Sequence, residues 1–327
     1  MYKKMISFIV VIGLLLVMTI YSMITGSIEI TAGELIKGLF TGTNENVEII
    51  KDLRLPRIVI ALFAGAALSV SGVLLQAVMR NPLAEPGIIG VSSGAGFVSI
   101  IMITFFPALF FYTPLFSFIG GALAFLLVYI FSWKSGLNPL RMILIGVAIN
   151  AVFTGLSELI SSQNAGSMMS GISVTSSTLT MKTWGDVQVM VLYGSIGLIL
   201  SMIIYAWCNH LGLRDKTLKN LGFRVNRARF IISIIAVLLA SIATAVAGMF
   251  TFVGLLIPHI GRALVGSDHK LLIPFSALAG ALLILIADTL GRTLFAPIEI
   301  PASIIMAVIG GPFLIFLLRK SDRIYAN

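Results

Sequence analysis

Cysteine is nearly absent from this chain of 327 residues, in which Cys208 is the single one. One thiol excludes an intramolecular disulfide and any cysteine-based metal cluster. Histidine is almost as scarce, and His210, His259 and His269 are too scattered for the HExxH spacing of a zinc site. The sequence also lacks a G-x-x-x-x-G-K-[ST] phosphate-binding loop. It therefore predicts a protein that is not an enzyme, with no metal site and no permanently bound cofactor.

Charged residues are scarce too, at 11% of the chain, whereas 58% of the residues are hydrophobic and the mean hydropathy is +1.06. A soluble domain does not reach these values. Apolar runs of about 20 residues, long enough to cross a bilayer, recur along the whole length. The sequence predicts ten spans, near 5–25, 57–79, 88–106, 108–132, 139–161, 190–208, 228–248, 250–266, 272–291 and 302–318. Nine spans is the alternative, because 228–266 also fits one span plus a re-entrant segment.

The predicted fold class is therefore all-α: a polytopic membrane protein with about ten transmembrane helices. The longest outer segments, 27–55 and 162–188, are too short for a further domain, so we expect a single transmembrane domain over 1–327. Lys3 and Lys4 before an apolar stretch could also begin a secretory signal peptide. That stretch has no convincing cleavage site, which favours an uncleaved first span.

The positions of lysine and arginine predict the orientation, because cytoplasmic loops carry an excess of both. With both termini cytoplasmic, 16 of the 22 basic residues fall on the inner side. These are Lys3, Lys4, Arg80, Lys134, Arg141, Arg214, Lys216, Lys219, Arg224, Arg227, Arg229, Arg262, Lys270, Arg319, Lys320 and Arg323. The outer side holds Lys37, Lys51, Arg54, Arg57, Lys182 and Arg292. The net charge of +9 reflects this bias, and nucleic acid is not an expected partner.

Small and polar residues inside the spans predict how the helices pack. Gly65-xxx-Ser69 and Gly90-xxx-Gly94 place small residues one turn apart, which lets two helix backbones approach closely. An ionisable residue within a bilayer is a functional candidate, and Asp288 is one. Arg292 follows four residues later, so a structural i,i+4 ion pair is an alternative to proton coupling.

The stretch from Phe252 to Arg262 interrupts an apolar run with Pro258, His259 and Arg262. Lipid cannot satisfy exposed backbone groups, so these residues predict a segment that leaves the bilayer. A short basic element at the aqueous face favours docking of a partner, and hence a transporter driven by a separate protein.

Longer motifs resemble the FecCD family, the permeases of ABC importers for ferric siderophores, haem and cobalamin. The resemblance covers nearly the whole chain in order. Its motifs are Arg54-Leu55-Pro56-Arg57, the small-residue run 65–76, the highly specific block Asn81 to Gly96, Phe252 to Arg262, Ala287-Asp288 with Arg292, Glu299-Ile300-Pro301 and Gly310-Gly311-Pro312.

The resemblance implies a homodimer in the bacterial cytoplasmic membrane. It also implies two ATPase subunits, which use ATP, and an extracellular solute-binding protein. Family arginines that meet the binding protein match Arg54, Arg57 and Arg292, although anchoring a helix end is the alternative role for Arg54 and Arg57. The segment that couples to the ATPase matches Gly254, Pro258, His259, Arg262 and Asp268. The fifth span lines the family's path, which implicates Asn138, Pro139 and Asn150.

The expected cargo is haem, with a ferric siderophore as the alternative. An apolar passage with few fixed charges suits a flat, apolar porphyrin, and the stretch around Trp184-Gly185-Asp186 resembles haem permeases. Two other classes stay open. An ion-coupled secondary transporter would use Asp288 unpaired in one state, and a structural or receptor-like membrane protein would carry no flux.

Overall fold

The computed structural model describes residues 2–25, 45–133, 139–163, 179–296 and 298–325, together with Gly33. These residues form α-helices joined by short connections, with one 3-10 helix at Pro107–Tyr112 and no strand among them. In chain order the helices are α1 Tyr2–Ile24, α2 Glu45–Met79, α3 Pro86–Ile89, α4 Val91–Phe105, α5 Thr113–Trp133, α6 Pro139–Gln163, α7 Trp184–Ile203, α8 Tyr205–His210, α9 Asp215–Asn220, α10 Val225–Ala247, α11 Val253–Val265, α12 His269–Thr293 and α13 Ala302–Tyr325.

Every predicted span overlaps one or two of these helices, which confirms the all-α membrane fold. In the described part of the chain, seven helices are long and apolar enough to cross a membrane: α1, α2, α5, α6, α7, α10 and α12. Three shorter apolar helices lie in α4, α11 and α13. The protein is thus a multi-pass membrane protein.

The prediction for 250–266 differs most from the structure. Gly248 (φ +85°) ends α10, and Phe252 (φ +68°) adopts a left-handed conformation just before α11. With 13 residues, α11 is only about 20 Å long, whereas a hydrocarbon core is about 30 Å thick. Its first turn is buried, so α11 begins inside the bundle and covers part of the membrane.

α2 lies at the centre of the bundle and packs against α7, α10, α11 and α12. Small residues allow the closest crossings. A Cβ added at Gly65 would overlap the backbone of Gly280 on α12, and one added at Gly280 would overlap Ser69. The prediction that Gly65 and Ser69 form a packing face is therefore confirmed. A second such crossing joins Gly72 of α2 to Gly254 of α11.

Polar contacts define two ends of the bundle, about 34 Å apart along the 23 residues of α2 from Arg57 to Met79. At one end, Arg80 pairs with Asp215, and Asp268 accepts a hydrogen bond from Asn209. We call it the basic end, because most lysines and arginines of the sequence fall in its segments. At the opposite end, Arg57 contacts Asp288 and Glu299.

Candidate functional site

The opposite end contains a buried ion-pair network centred on Arg57. Its Nε and Nη2 donate to the carboxylate of Asp288 at 2.8–3.0 Å, and its Nη1 donates to Oε2 of Glu299 at 2.9 Å. Arg292 Nε lies 3.6 Å from Oδ2 of Asp288, so the predicted i,i+4 pair is present but is the looser contact. The network therefore ties α2 to α12 and to the segment before α13.

The other two arginines of the predicted docking set bind the end of α1. Arg54 donates to the carbonyl oxygens of Met23 and Ile24, and Arg292 donates to the carbonyl and hydroxyl of Ser22. The last carbonyls of a helix have no partner within that helix, and cations near them are favourable. These arginines thus hold α1, the least buried of the long helices, onto the bundle.

Exposure distinguishes the members of this network. Arg54, Arg57 and Arg292 are 8%, 9% and 9% exposed, whereas the Glu299 side chain is 41% exposed. Burial of Glu299 opposes its ionisation, but the hydrogen bonds from Arg57 and Thr180 and the charge of Arg57 outweigh it. The pKa of Glu299 therefore lies below its usual value. The network presents a carboxylate to water and keeps its guanidinium groups largely inside.

Asp288 lies inside the ion-pair network and not in an open site. It is 1% exposed and accepts three hydrogen bonds from Arg57, with Arg292 nearby. A proton-coupling carboxylate must lose its partner in one state. The structure instead pairs Asp288 from two directions, which favours the structural role over proton coupling.

At the other side of the site, α11 is anchored at its first turn. Oε1 of the buried Glu85 accepts a hydrogen bond from the backbone N–H of Phe252 at 3.1 Å. A carboxylate is favourable at a helix N-terminus. Gln76 of α2 donates to the carbonyl oxygen of Gly254 at 3.1 Å and accepts a hydrogen bond from Arg262, so it binds both ends of α11.

The predicted coupling residues fall into two groups. Gly254 and Pro258 are buried, and His259 and Arg262 are half-buried, with the His259 ring edge-on to Phe313. Asp268 is exposed, caps α12 through the N–H of Lys270, and accepts a hydrogen bond from Asn209 at 2.7 Å. Those two hydrogen bonds hold its pKa below the usual value, so it is ionised at neutral pH. Of the five, Asp268 is the one that faces water.

Sequence reasoning missed the neighbouring surface, α9 with its flanks. Asp215 pairs with both Arg80 and Arg229 and fixes α9 against α2 and α10. Lys216, Lys219 and the apolar Leu221, which is 72% exposed, remain at the surface. The sequence did offer one signal, an apolar residue among lysines. A helix of six residues is too short to be predicted from its periodicity, however, so the sequence predicts a loop there.

The predicted path residues lie on or before α6. Asn150 is half-buried and packs beside Gly90, the left-handed break between α3 and α4. Pro139 begins α6, and Asn138 lies outside the described residues. The face of α6 that includes Leu144, Val147 and Val152 is exposed and apolar.

The sequence and the fold both match known proteins. A model of the FecCD transport family matches residues 14–320. The chain is 42% identical, over 321 residues and 98% of each protein, to "Probable heme-iron transport system permease protein IsdF" of Staphylococcus aureus strain MSSA476, and equally so to that of strain Newman.

Two solved structures share the fold. An inward-facing structure described as a metal-chelate type ABC transporter has a TM-score of 0.80 and 28% identity, over 97% of this chain and 99% of that one. PsaBC from Streptococcus pneumoniae, in complex with Fab, has a TM-score of 0.61 and 14% identity, over 88% of this chain and 95% of that one. With a family model that spans nearly all of its length, the chain belongs to the FecCD transport family.

Proposed function

We propose that this chain is the membrane-spanning permease of an ABC importer that carries haem. The observation that carries the proposal is the 42% identity, over 98% of both proteins, to staphylococcal permeases named for heme-iron transport. The apolar face of α6 supports it, because a flat porphyrin needs a passage that does not hold it through charges or ligating histidines. A ferric siderophore is the alternative cargo.

The proposed assembly is a homodimer with two ATPase subunits at the basic end and a solute-binding protein at the opposite end. The excess of lysine and arginine supports a cytoplasmic basic end, and with it cytoplasmic termini. We place the second copy against α6 and α13, whose exposed residues include Leu144, Val152 and Val308. In that dimer, Pro139, Asn138 and Asn150 would lie along the path.

We propose that Arg54, Arg57 and Arg292 remain the docking residues for the binding protein. Because all three are buried, docking places a demand on the partner. A carboxylate of the binding protein must approach guanidinium groups that already have acceptors inside the chain. Such a contact would be directional and largely desolvated, which favours specificity. Arg54 donates to the backbone carbonyls of Met23 and Ile24, whereas Arg57 binds the buried carboxylate of Asp288, so docking is tested at Arg54.

Arg54→Gln is expected to weaken binding of the solute-binding protein at least about 30-fold, because losing one member of a buried interfacial charge pair costs about 2–5 kcal/mol. Glutamine keeps a donor for the α1 carbonyls, so thermal stability should change little. Binding to the permease complex in nanodiscs is the measurement. Lys51→Gln, an exposed charge one turn earlier on α2, is the control. Equal affinities for both variants and the wild type would make Arg54 a helix anchor only.

We propose that α11 transmits the ATPase cycle from the basic end to the path, which gives Gly254, Pro258, His259, Arg262 and Asp268 their common role. Asp268 supports direct contact, since it is exposed and joined to the α8–α9 segment through Asn209. The buried members support transmission, because Gly254 touches α2 and Gln76 binds Arg262. Haem delivered per ATP hydrolysed, in variants that displace α11, tests this role.

Reconstituted with its ATPase and binding protein, the permease is expected to deliver haem into vesicles that contain a haem acceptor, and only with ATP. The Soret band of the loaded acceptor measures delivery. Collapse of the proton gradient should leave the rate unchanged, because Asp288 is paired inside the protein. ATP-dependent delivery of a ferric siderophore with none of haem would overturn the cargo and leave the importer class in place.

A further inference from the structure

A groove on the outside of the bundle has no role in the function proposed above. It lies between α5 and α10, has a volume of about 490 Å³, and reaches Val78 of α2 at its base. Its walls are almost entirely apolar: Phe118, Phe125, Leu126, Phe230, Ile234 and Val237. Phe230 and Leu126 are 67% and 50% exposed, so the groove is open along its length.

One end of the groove is polar and positively charged. Tyr129, Asn226 and Arg229 line that end, and Arg229 belongs to the basic end of the bundle through its ion pair with Asp215. Arg80 binds the same aspartate, so the cluster of two arginines and one aspartate has a net charge of +1. The pair also leaves the buried Nε of Arg229 without a hydrogen-bond partner.

The start of α10 strengthens this positive field. Neither an acidic residue nor a side-chain cap occurs in its first turn, so its N–H groups add to the positive potential of a 23-residue helix. Within 214–229 the sequence has six basic residues and one acidic residue. The polar end of the groove therefore faces an unusually cationic part of the membrane boundary.

We propose that this groove is a binding site for an anionic phospholipid of the leaflet at the basic end, with one acyl chain between α5 and α10 and the phosphate at Arg229 and Asn226. The shape matches, since an apolar trough that ends in donors is the complement of a lipid with a negative head. Basic sites between transmembrane helices are known to hold anionic head groups. Arg229 supplies the positive charge and the exposed side chain of Asn226 supplies a donor that a phosphate accepts.

The site can be probed with phosphatidylglycerol and phosphatidylcholine that carry the same photoreactive acyl chain, using the full-length permease in nanodiscs. Phosphatidylglycerol is expected to label 118–129 and 230–237 in preference to phosphatidylcholine. Arg229→Gln should reduce that preference about fivefold, the effect of one basic residue at a charged membrane surface. Arg227→Gln, an exposed charge on the same turn outside the groove, should leave it unchanged.

A second variant tests the groove without changing a charge. Ala122→Phe fills the groove and is expected to abolish labelling by both lipids, whereas Leu123→Phe, on the neighbouring exposed face of α5, should not. If Arg229→Gln fails to fold, this pair of variants still shows whether the lipid lies in the groove. Equal labelling by the two lipids in the wild type would overturn the proposal, and so would a groove covered by a second copy of the chain in cross-linking.

Discussion

Arg57→Met is expected to destabilise the protein by about 3–5 kcal/mol, because it leaves the 1% exposed carboxylate of Asp288 without its principal partner. Asp288→Asn should cost less, since Arg57 keeps the Glu299 carboxylate at 2.9 Å. The free energy of unfolding in lipid bicelles is the measurement. Lys51→Met removes an exposed charge from the same helix and should change it by less than about 0.5 kcal/mol.

The double variant Arg57→Met/Asp288→Asn shows how much of the lost stability is due to the ion pair between these two residues. It is expected to lose less free energy of unfolding than the two single variants combined, because neither Arg57 nor Asp288 is left as a buried charge facing an empty place. Additive losses would show that Arg57 and Asp288 stabilise the fold independently. A loss below about 1 kcal/mol in Arg57→Met would show that water or Arg292 compensates for the missing guanidinium.

Gly72→Ala is expected to cost about 3 kcal/mol, because the new Cβ overlaps the backbone of Gly254, and backbone atoms cannot turn away. Gly254→Ala should cost about 1 kcal/mol, since its Cβ would lie 3.0 Å from Cδ of Pro86 and 3.1 Å from the Leu68 carbonyl oxygen. Gly155→Ala is the matched control, a helical glycine with nothing within 4 Å of the added carbon.

The same series tests transmission through α11. Haem delivered per ATP hydrolysed should fall in the order Gly155→Ala, Gly254→Ala, Gly72→Ala, with hydrolysis itself retained in Gly254→Ala. This order is expected because Gly155→Ala leaves α11 in place, Gly254→Ala displaces it slightly from α2, and Gly72→Ala displaces it most. Unchanged coupling in Gly254→Ala, together with the expected loss of stability, would make the α2–α11 crossing a packing feature with no part in transport.

Hydropathy was sufficient to predict the long helices of the bundle, but local chemistry decided where some of them begin. The sixth span was expected to start at 190, whereas α7 starts at Trp184. Thr183 and Asp186 form a reciprocal capping box there, so the polar residues that delayed the predicted start are those that begin the helix. The stretch that resembles haem permeases is thus the first turn of α7.

Long-range pairing was beyond the reach of the sequence. The i,i+4 rule predicted a contact between Asp288 and Arg292, and the structure contains it. The stronger partner, Arg57, lies 231 residues from Asp288, and nothing in a single sequence encodes that distance. The sequence therefore predicted Arg57 to be a charge at the outer face without a partner inside the chain. The break at Phe252 was equally hidden, because a positive φ at phenylalanine depends on the surrounding contacts and not on residue type.

The separation between Arg57 and its partners has a consequence for biosynthesis. α2 enters the membrane when Asp288 and Glu299 have not yet been synthesised, and the cap that Arg292 places on Ser22 spans 270 residues. The nascent chain must therefore hold an arginine near the membrane boundary, where its long side chain reaches the head groups. α1 likewise lacks its contact with Arg292 until α12 is made. The first two helices can therefore reach their final packing only after α12 has been inserted.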